Sequence, residues 1–168
     1  MVAPSMVSLR LRGRPVDYGV LDTLAGYAIR RALLAIGESF DADLTCEGMT
    51  IHRFSALTLI ARNPGITRSI LAQILGVAKP RATMVVLDLQ KMGLVENRPI
   101  NGDLRLIGLY LNAKGRRRYS RIERRMREHD QLATARLTAE ERATLLRLLA
   151  KFGPDDDDGG TCDIGVLA

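Results

Sequence analysis

The chain has 168 residues, of which 46% are hydrophobic and 26% charged, a composition typical of one folded domain with short appendages. Two cysteines exclude a disulfide framework, and no apolar stretch approaches the ~20 residues that a membrane-spanning helix needs. The N-terminal arginines are not followed by the apolar segment of a signal peptide, so we expect a cytoplasmic protein with no membrane partner.

The charge is unevenly distributed along the chain. The last sixteen residues hold five aspartates and no basic residue, so residues 1–152 set all 25 Lys and Arg against 14 acidic residues. This excess favours a polyanionic partner, most simply nucleic acid, although an arginine-rich proteome would produce the same bias. Aromatic residues make up only 4% of the chain, which disfavours proteins that stack single-stranded bases. Composition therefore favours double-stranded DNA.

Helical spacing of apolar residues dominates the first half of the chain. It predicts a long helix from Tyr18 to Phe40, which the polar stretch from Gly37 to Gly48 should end. Thr50 is a suitable N-cap for a second helix over about 51–62, and Asn63-Pro64-Gly65 should stop it.

Two short helices are predicted next. Thr67 should cap the third, and Gly76 should end it as a C′ glycine. Its predicted apolar face consists of Ile70, Leu71, Ile74 and Leu75. The fourth begins at Lys79-Pro80, where proline suits the first turn, and ends at Gly93. Its predicted buried face consists of Ala82, Val85, Val86 and Leu89.

The hydrophobic period then changes to that of strands. Residues 94–98 and 105–111 predict two strands, and the Asn101-Gly102 pair between them is a strong hairpin signal. Asn112 should cap a long helix over about 113–135, and Thr138 with Glu141 forms a capping box for a last helix. The long helix carries a narrow stripe with nearly heptad spacing, formed by Tyr119, Ile122, Met126, His129 and Ala133.

This order of elements is the layout of a winged helix-turn-helix flanked by helices, a mostly α fold with one small β-hairpin. A helix that reads the major groove buries one face and offers its N-terminal end to base edges. In the fourth helix the residues left for the groove are Lys79, Pro80, Arg81, Thr83 and Met84. We expect Arg81 to bond guanine, Thr83 to reach a base or phosphate, and Lys79 to contact phosphate. The alternative is an amphipathic helix with a solvated face.

The hairpin favours the DNA-binding interpretation. A basic wing can lay an arginine along a narrow minor groove, where the negative potential is enhanced. The candidates on this wing are Arg98, Asn101, Asp103 and Arg105, with Asp103 placed to orient the Arg105 guanidinium. Charged hairpin tips are common, but a hairpin directly after a helix-turn-helix pair is not.

At this point the sequence resembles the MarR family of transcriptional regulators, over roughly residues 27–152. The motifs that carry the resemblance are Ala61-Arg62-Asn63-Pro64-Gly65-Ile66-Thr67, Leu71-Ala72-Gln73-Ile74-Leu75-Gly76-Val77, Lys91-Met92-Gly93-Leu94-Val95-Glu96, Gly102-Asp103-Leu104-Arg105 and Leu111-Asn112-Ala113-Lys114-Gly115. Each is weak alone, whereas their order and spacing together are specific.

The resemblance implies a homodimer that represses transcription from a pseudo-palindromic site and is released by a small ligand. It divides the chain into residues 1–16 as a flexible basic arm, 17–48 as a dimerisation helix and loop, 49–112 as the DNA-binding domain, 113–152 as dimerisation helices and 153–168 as an acidic flexible tail. The stripe on the long helix fits the dimer role.

This sequence departs from the family pattern at several DNA-binding positions. The operator sequence of its relatives therefore cannot be assigned to this protein. The usual wing pattern Asp-Arg-Arg is Asp103-Leu104-Arg105 here. Pro80 and Met84 stand where small polar residues and an arginine are commoner.

Several other residues have two interpretations. Arg116, Arg117 and Arg118 at the start of the long helix either contact the DNA backbone or form a solvated face, and Arg10, Arg12 and Arg14 in the arm are weaker candidates for DNA contact.

The family's ligand pocket would draw here on Tyr27, Ser39, Phe40, His52, Arg53 and Phe54. Arg53 beside His52 would suit an aromatic carboxylate or its CoA thioester. Alternatively, Phe54 is core and Arg53 is surface.

Redox, metal and catalytic roles find little in the sequence. Cys46 does not match the position of the redox-sensing cysteine in MarR relatives, and Cys162 lies in the tail. His52, His129 and Cys46 lack metal-ligand spacing, and we expect no cofactor. Neither a phosphate-binding loop nor a nucleophile motif is present in the sequence, so we expect no enzymatic activity. The remaining alternatives to a ligand-responsive repressor are a winged-helix protein–protein adaptor and a cysteine redox sensor.

Overall fold

The computed structural model describes residues 10–11, 13–45, 48–100 and 103–152. Its elements in chain order are β1 (Arg10–Leu11), β2 (Arg14–Pro15), α1 (Ala25–Thr45), α2 (Ile51–Arg62), α3 (Arg68–Ile74), α4 (Lys79–Lys91), β3 (Val95–Ile100), β4 (Asp103–Leu111), α5 (Ala113–Ala133) and α6 (Ala139–Ala150). The chain divides into two compact units, residues 1–126 and 127–168, with the boundary inside α5. The predicted class, a mostly helical chain with a winged helix-turn-helix, is confirmed.

The N-terminal segment differs from the prediction in two ways. Residues 10–15 contain a small antiparallel hairpin of β1 and β2, turned at Gly13 with φ +82°, within the segment predicted as a flexible arm. The long helix does not begin at Tyr18, because a 3-10 helix over Gly19–Thr23 and an extended Leu24 precede α1. An Asp17 carboxylate accepts from the Gly19 N–H at 2.8 Å and holds that earlier turn.

The predicted end of α1 is also wrong. The helix runs through Gly37 and the polar residues after it to Thr45. One glycine inside a helix costs only about 1 kcal/mol, which 21 residues of continuous helix absorb. Glutamate and leucine in this stretch are themselves good helix formers.

Helices α2, α3 and α4 begin and end where the sequence indicates. The Thr50 hydroxyl accepts from the Arg53 N–H, and the Thr67 hydroxyl accepts from the Ile70 N–H, so both are true N-caps. Pro80 lies in the first turn of α4, and Gly76 has the positive φ of +62° expected of a C′ glycine.

The buried face of α3 was predicted incorrectly. Leu71 and Ala72 are buried and Leu75 packs against the core, whereas Ile70 and Ile74 are 48% and 55% exposed. Four apolar residues in a helix of two turns form two adjacent rows, and only the row of Leu71 and Leu75 meets the core.

The core of residues 1–126 joins the helices to the hairpin. Its largest fully buried side chains are Leu57, Ile60, Leu71, Val86, Leu89, Leu94, Leu109 and Ile122. Tyr119 and Ile122 of the α5 stripe lie in this core, and Met126 packs against it. The N-terminal half of the stripe is therefore intrachain core, and its interpretation as a dimer seam was wrong there. Ala133, at the other end of the stripe, is exposed.

The hairpin is longer and its turn tighter than predicted. Strands β3 and β4 pair antiparallel from Val95↔Leu111 to Ile100↔Asp103, with an irregularity between Pro99 and Ile100. Only positions 101 and 102 connect the strands, and both lie outside the described residues. Ile66 pairs with Leu109 through one isolated antiparallel bridge, so the segment after α2 contacts the other edge of β4.

Two glycines let backbone segments meet at the base of this hairpin. A Cβ on Gly108 would lie 2.7 Å from the Gly65 carbonyl oxygen, and one on Gly115 would lie 2.0 Å from that of Leu94. Asn112 strengthens the second junction: its side-chain oxygen accepts from the Gly115 N–H at 2.9 Å, as predicted for an N-cap, and its amide donates to the Gly93 carbonyl at 3.0 Å.

Residues 127–152 form the described part of the second unit. The Thr138–Glu141 capping box is present. The Thr138 N–H donates to the Glu141 carboxylate, and this hydrogen bond lowers the pKa of Glu141. Arg142 pairs with Asp130, tying the start of α6 to the end of α5. Among the described residues no single helix is long and apolar enough to span a membrane; α3 and α4 reach that length only together, across a bend of 111°.

Gly115→Ala should destabilise the protein by about 3 kcal/mol, the upper range for overpacking, because the new methyl group would collide with the Leu94 carbonyl. The measurement is the free energy of unfolding in urea. Gly26→Ala in α1, where a Cβ meets nothing within 4 Å, is the control and should be neutral or slightly stabilising. Equal stability of the two variants would contradict the close contact.

Candidate nucleic-acid interface

The N-terminal end of α4 projects from the core as a groove-reading helix requires. Ala82, Val86 and Leu89 are fully buried, whereas the first two turns of the helix expose a set of side chains on the opposite face. The exposed set comprises Lys79, Pro80, Arg81 and Met84. These positions agree with the sequence prediction.

Thr83 is more constrained than the rest of the predicted set. Its side chain is half-buried, and its hydroxyl donates to the Lys79 carbonyl at 2.9 Å. The hydroxyl proton is thus engaged within the helix, while the oxygen keeps the capacity to accept. Thr83 is suited to accepting a hydrogen bond from a base amino group.

The wing presents its arginines from both strands. Arg105 is exposed on β4. On β3, Arg98 pairs with Glu96 two residues earlier, and its guanidinium carbon lies 5.4 Å from the centre of the Tyr110 ring. Side chains at i and i+2 of a strand share a face, so the period of β3 could have revealed the Glu96 partner. Asn101 and the Asp103 side chain lie outside what the structure describes, so the predicted Asp103–Arg105 contact remains a prediction.

Arg116 lies at the base of the wing. It belongs to the first turn of α5, and its guanidinium Nη1 donates to the Leu111 carbonyl at 2.8 Å. Its charge is therefore held beside the end of β4 while the residue stays exposed. A phosphate at the wing base would therefore contact the Arg116 guanidinium in a position that this hydrogen bond fixes.

A polar network missed by sequence reasoning fixes α4 relative to the wing. The Asn97 side-chain oxygen on β3 accepts from Gln90 of α4 at 2.9 Å and from Arg68 of α3 at 3.3 Å. One amide thus joins three elements. The side chains are polar residues on otherwise unremarkable exposed faces, so no spacing in the sequence marks them as partners.

A second link holds the same C-terminal half of α4 against α2. Arg53 of α2 donates to the Asp88 carboxylate at 2.5 Å and to the Gly48 carbonyl at 2.9 Å. This hydrogen bond is the main cause of the lowered pKa of Asp88; partial burial opposes it, and the charges of Arg53 and Lys91 add to it. Sequence reasoning missed Asp88, since 35 residues separate the partners.

The predicted ligand residues are placed less favourably. Arg53, the expected anion anchor, is engaged with Asp88, and Phe54 packs against the core, as the alternative interpretation held. Tyr27 lies near Tyr18, with ring centres 6.4 Å apart, and His52 is half-buried. Ser39 and Phe40 belong to α1, but their side chains lie outside what the structure describes.

Metal and redox sites gain no support from the described part of the chain. No group of three or more His, Cys, Asp or Glu side chains able to hold a metal occurs within residues 10–11, 13–45, 48–100 and 103–152. Cys46 and Cys162 lie outside these ranges.

A short helix pair whose second helix exposes a basic N-terminus, followed by an arginine-bearing hairpin, defines a winged helix-turn-helix protein of the DNA-binding class. Residues 47–106 match the model of the MarR family. A protein of Thauera aromatica, assigned as the transcriptional regulatory protein for the hcr operon, is 30% identical over 155 residues, covering 88% of this chain and 93% of that protein. The chain belongs to the MarR family of transcriptional regulators.

Solved structures agree with this assignment. The transcriptional repressor CouR bound to a 23-mer DNA duplex has a TM-score of 0.75 and 30% identity over 82% of this chain and 97% of its own. CouR is also known bound to p-coumaroyl-CoA, with a TM-score of 0.73, 29% identity and coverage of 83% and 99%. The repressor Rv2887 of Mycobacterium tuberculosis is 28% identical over 80% of this chain and 96% of its own. Its structure with DNA has a TM-score of 0.64, and that with salicylic acid 0.63.

Arg53→Gln should raise the pKa of Asp88 toward its ordinary value, because the hydrogen bond that favours the carboxylate is lost. In the wild-type protein the link stabilises the fold above the ordinary pKa of aspartate and is lost as the pH falls through the lowered value. NMR titration of the Asp88 carboxyl carbon measures both proteins. An unchanged pKa in the variant would contradict the assigned cause.

Proposed function

We propose that this protein is a dimeric, sequence-specific DNA-binding regulator, a repressor that a small ligand releases from a pseudo-palindromic operator. The observation that carries the proposal is the common presentation of α4 and the wing. The exposed N-terminal turn of α4 and the arginines of β3 and β4 are fixed to one core by the Asn97 and Asp88 links. The DNA complexes of CouR and Rv2887, both similar to this chain, support it.

In this proposal the contacts divide into base readout and backbone positioning. Arg81 reads guanine, with Thr83, Pro80 and Met84 beside it in the major groove, and Lys79 binds phosphate. Arg105 enters the minor groove, assisted by Asn101 and Asp103 at the tip. Arg98 and Arg116 hold the backbone at the wing base.

Homodimer formation is supported by apolar surface that the monomer leaves exposed. On α1 the exposed side chains include Leu33 and Leu34, and on α6 they include Leu146 and Leu149. Exposed apolar surface of this kind marks contact with a partner. A second copy would cover both helices and place two α4 helices on successive major grooves.

A small aromatic acid or its thioester is the proposed effector class. Support comes from the p-coumaroyl-CoA complex of CouR and the salicylic acid complex of Rv2887. The proposal also includes a cytoplasmic location, since DNA is the partner. The predicted set of Tyr27, Ser39, Phe40, His52, Arg53 and Phe54 stays a prediction.

The competing functions make different use of the same surfaces. An adaptor would need an apolar or acidic α4 face, whereas the exposed residues here include Lys79 and Arg81. A redox sensor would need Cys46 as a reactive thiolate. Titration of a duplex at two salt concentrations separates the adaptor from the regulator, because only phosphate contacts give a steep salt dependence. Binding unchanged by peroxide would exclude the redox sensor.

Arg105→Ala should weaken operator binding about tenfold at ~0.15 M salt, as expected for loss of one charge-assisted hydrogen bond, without changing dimerisation. Fluorescence anisotropy gives the Kd, and sedimentation gives the oligomeric state. Arg136→Ala, which removes an exposed arginine just beyond α5, serves as the charge control. An unchanged Kd for Arg105→Ala would rule out the wing contact.

Arg81→Ala should both weaken binding and relax sequence preference at one base pair per half-site, by about 1–3 kcal/mol. The measurement is the ratio of Kd values for the operator and a single-substitution operator. Lys91→Ala, at the other end of α4, removes the same charge and should preserve that ratio. Preserved discrimination in Arg81→Ala would place base readout elsewhere.

A further inference from the structure

The face of α4 that lies opposite the core is apolar along its centre. An α-helix turns by about 100° per residue, so the fully buried side chains of α4 fall on one side of its axis. The exposed residues diametrically opposite to that side are Pro80, Met84 and Leu87. Met84 and Leu87 leave 56% and 38% of their surface in solvent. These three residues form an apolar strip on the part of the helix that stands furthest from the core.

Positive charge flanks the apolar strip on both sides. Lys79 and Arg81 are the neighbours of Pro80 in the chain, so each is turned by about 100° from it, in opposite directions around the helix axis. Both are exposed. The carboxylate of Asp88, the acidic residue of α4, is engaged with Arg53. A partner that fits this face must offer negative charge at its edges and an apolar group at its centre.

The major groove of a DNA duplex has this chemistry. Phosphates line its edges, and the base edges in its floor present hydrogen-bonding atoms together with one apolar group, the C5-methyl of thymine. A side chain without donors or acceptors gains contact area against that methyl, whereas it would leave the polar atoms of another base edge unpaired. Methionine is unbranched and polarizable, so the Met84 side chain can adapt its shape to a methyl group.

Pro80 and Met84 are also suitably spaced for one such group. Residues four positions apart are neighbours on a helix surface, about 5–6 Å apart at their Cβ atoms. A methyl group can therefore contact both side chains at once. Leu87 lies a further turn toward the C-terminal end, and base contacts come from the N-terminal part of a groove-reading helix. The methyl contact thus falls to Pro80 and Met84.

We infer that Met84, with Pro80 beside it, is a specificity-determining residue that reads the C5-methyl group of one thymine in each half-site of the operator. The inference rests on the proposed DNA-binding function and adds the chemistry that the centre of the α4 face recognises. Arg81 is proposed to read guanine from the flank of the same strip. Each half-site should therefore combine a guanine with a thymine whose methyl group, not its hydrogen-bonding edge, is required.

Exchange of thymine for uracil tests this contact, because the two bases differ only in the methyl group. A duplex recovered by selection of random DNA on the full-length protein is synthesised with one thymine at a time replaced by uracil, and fluorescence anisotropy gives each Kd. At one thymine of each half-site the uracil duplex should bind about fourfold more weakly, the effect of one buried methyl group. A cytosine placed at that position should gain about the same factor when it is methylated at C5.

Variants of α4 assign the methyl contact to its side chains. Met84→Ala should bring the ratio of the uracil and thymine Kd values close to one, and Pro80→Ala should lower it. Leu87→Ala, on the same face but nearer the C-terminal end, is the matched control and should keep the wild-type ratio. Arg81→Ala should also keep it, although its preference for guanine is relaxed. Circular dichroism confirms that each variant is folded.

Three outcomes would overturn the inference. Equal Kd values for thymine and uracil at every position, with the wild-type protein still specific for the duplex, would overturn the methyl contact and leave the regulator proposal intact. A wild-type ratio in Met84→Ala would assign the methyl group to another side chain. Recovery of no motif in the selection would remove the regulator proposal and this inference together, and would favour the apolar strip as a surface for a protein partner.

Discussion

Close backbone contact at two glycines determines how the wing joins the rest of residues 1–126. Gly108 on β4 lies against Gly65, and Gly115 at the start of α5 lies against Leu94, at distances that no side chain allows. The first contact holds β4 against the segment after α2, and the second holds the first turn of α5 against the residue before β3. Because α5 is held against the base of the wing in this way, Arg98 and Arg116 line the same cleft.

Two side-chain links position α4 relative to the wing and to α2. Asn97 holds it from the wing side through Gln90, and Arg53 holds it from the α2 side through Asp88. Both links are made by polar side chains, whereas the buried face of α4 supplies the apolar contact. Because these links are made by Gln90 and Asp88, Lys79 and Arg81 are not needed to hold the helix. They stay exposed at its N-terminal end, where the proposed function requires them.

Local signals in the sequence predicted most of this architecture. Caps at Thr50, Thr67 and Asn112 and the glycine at position 76 fixed helix ends through hydrogen bonds between near neighbours, which spacing reveals. The start of α1 was wrong because the 3-10 turn before it is also compatible with helical periodicity. The face of α3 was wrong because two turns do not separate adjacent apolar rows.

The site was harder to predict than the fold. The exposure of Arg81 and Met84 could be predicted from the apolar face of α4, because the residues on the opposite face of the helix point away from the core. The partners of Arg53 and Arg116 did not follow, because they depend on contacts between elements far apart in sequence. The stripe through Tyr119 and Ile122 shows the same limit: its spacing is equally suited to a dimer seam and to a core, and the structure places it in the core.

Selection of random double-stranded DNA on the purified protein, read by sequencing, tests the central claim most directly. The account predicts a recovered pseudo-palindrome whose two half-sites lie about one helical turn apart, the spacing of two α4 helices in a dimer. Recovery of no motif, or of duplexes whose binding is lost uniformly with added salt, would contradict sequence-specific regulation.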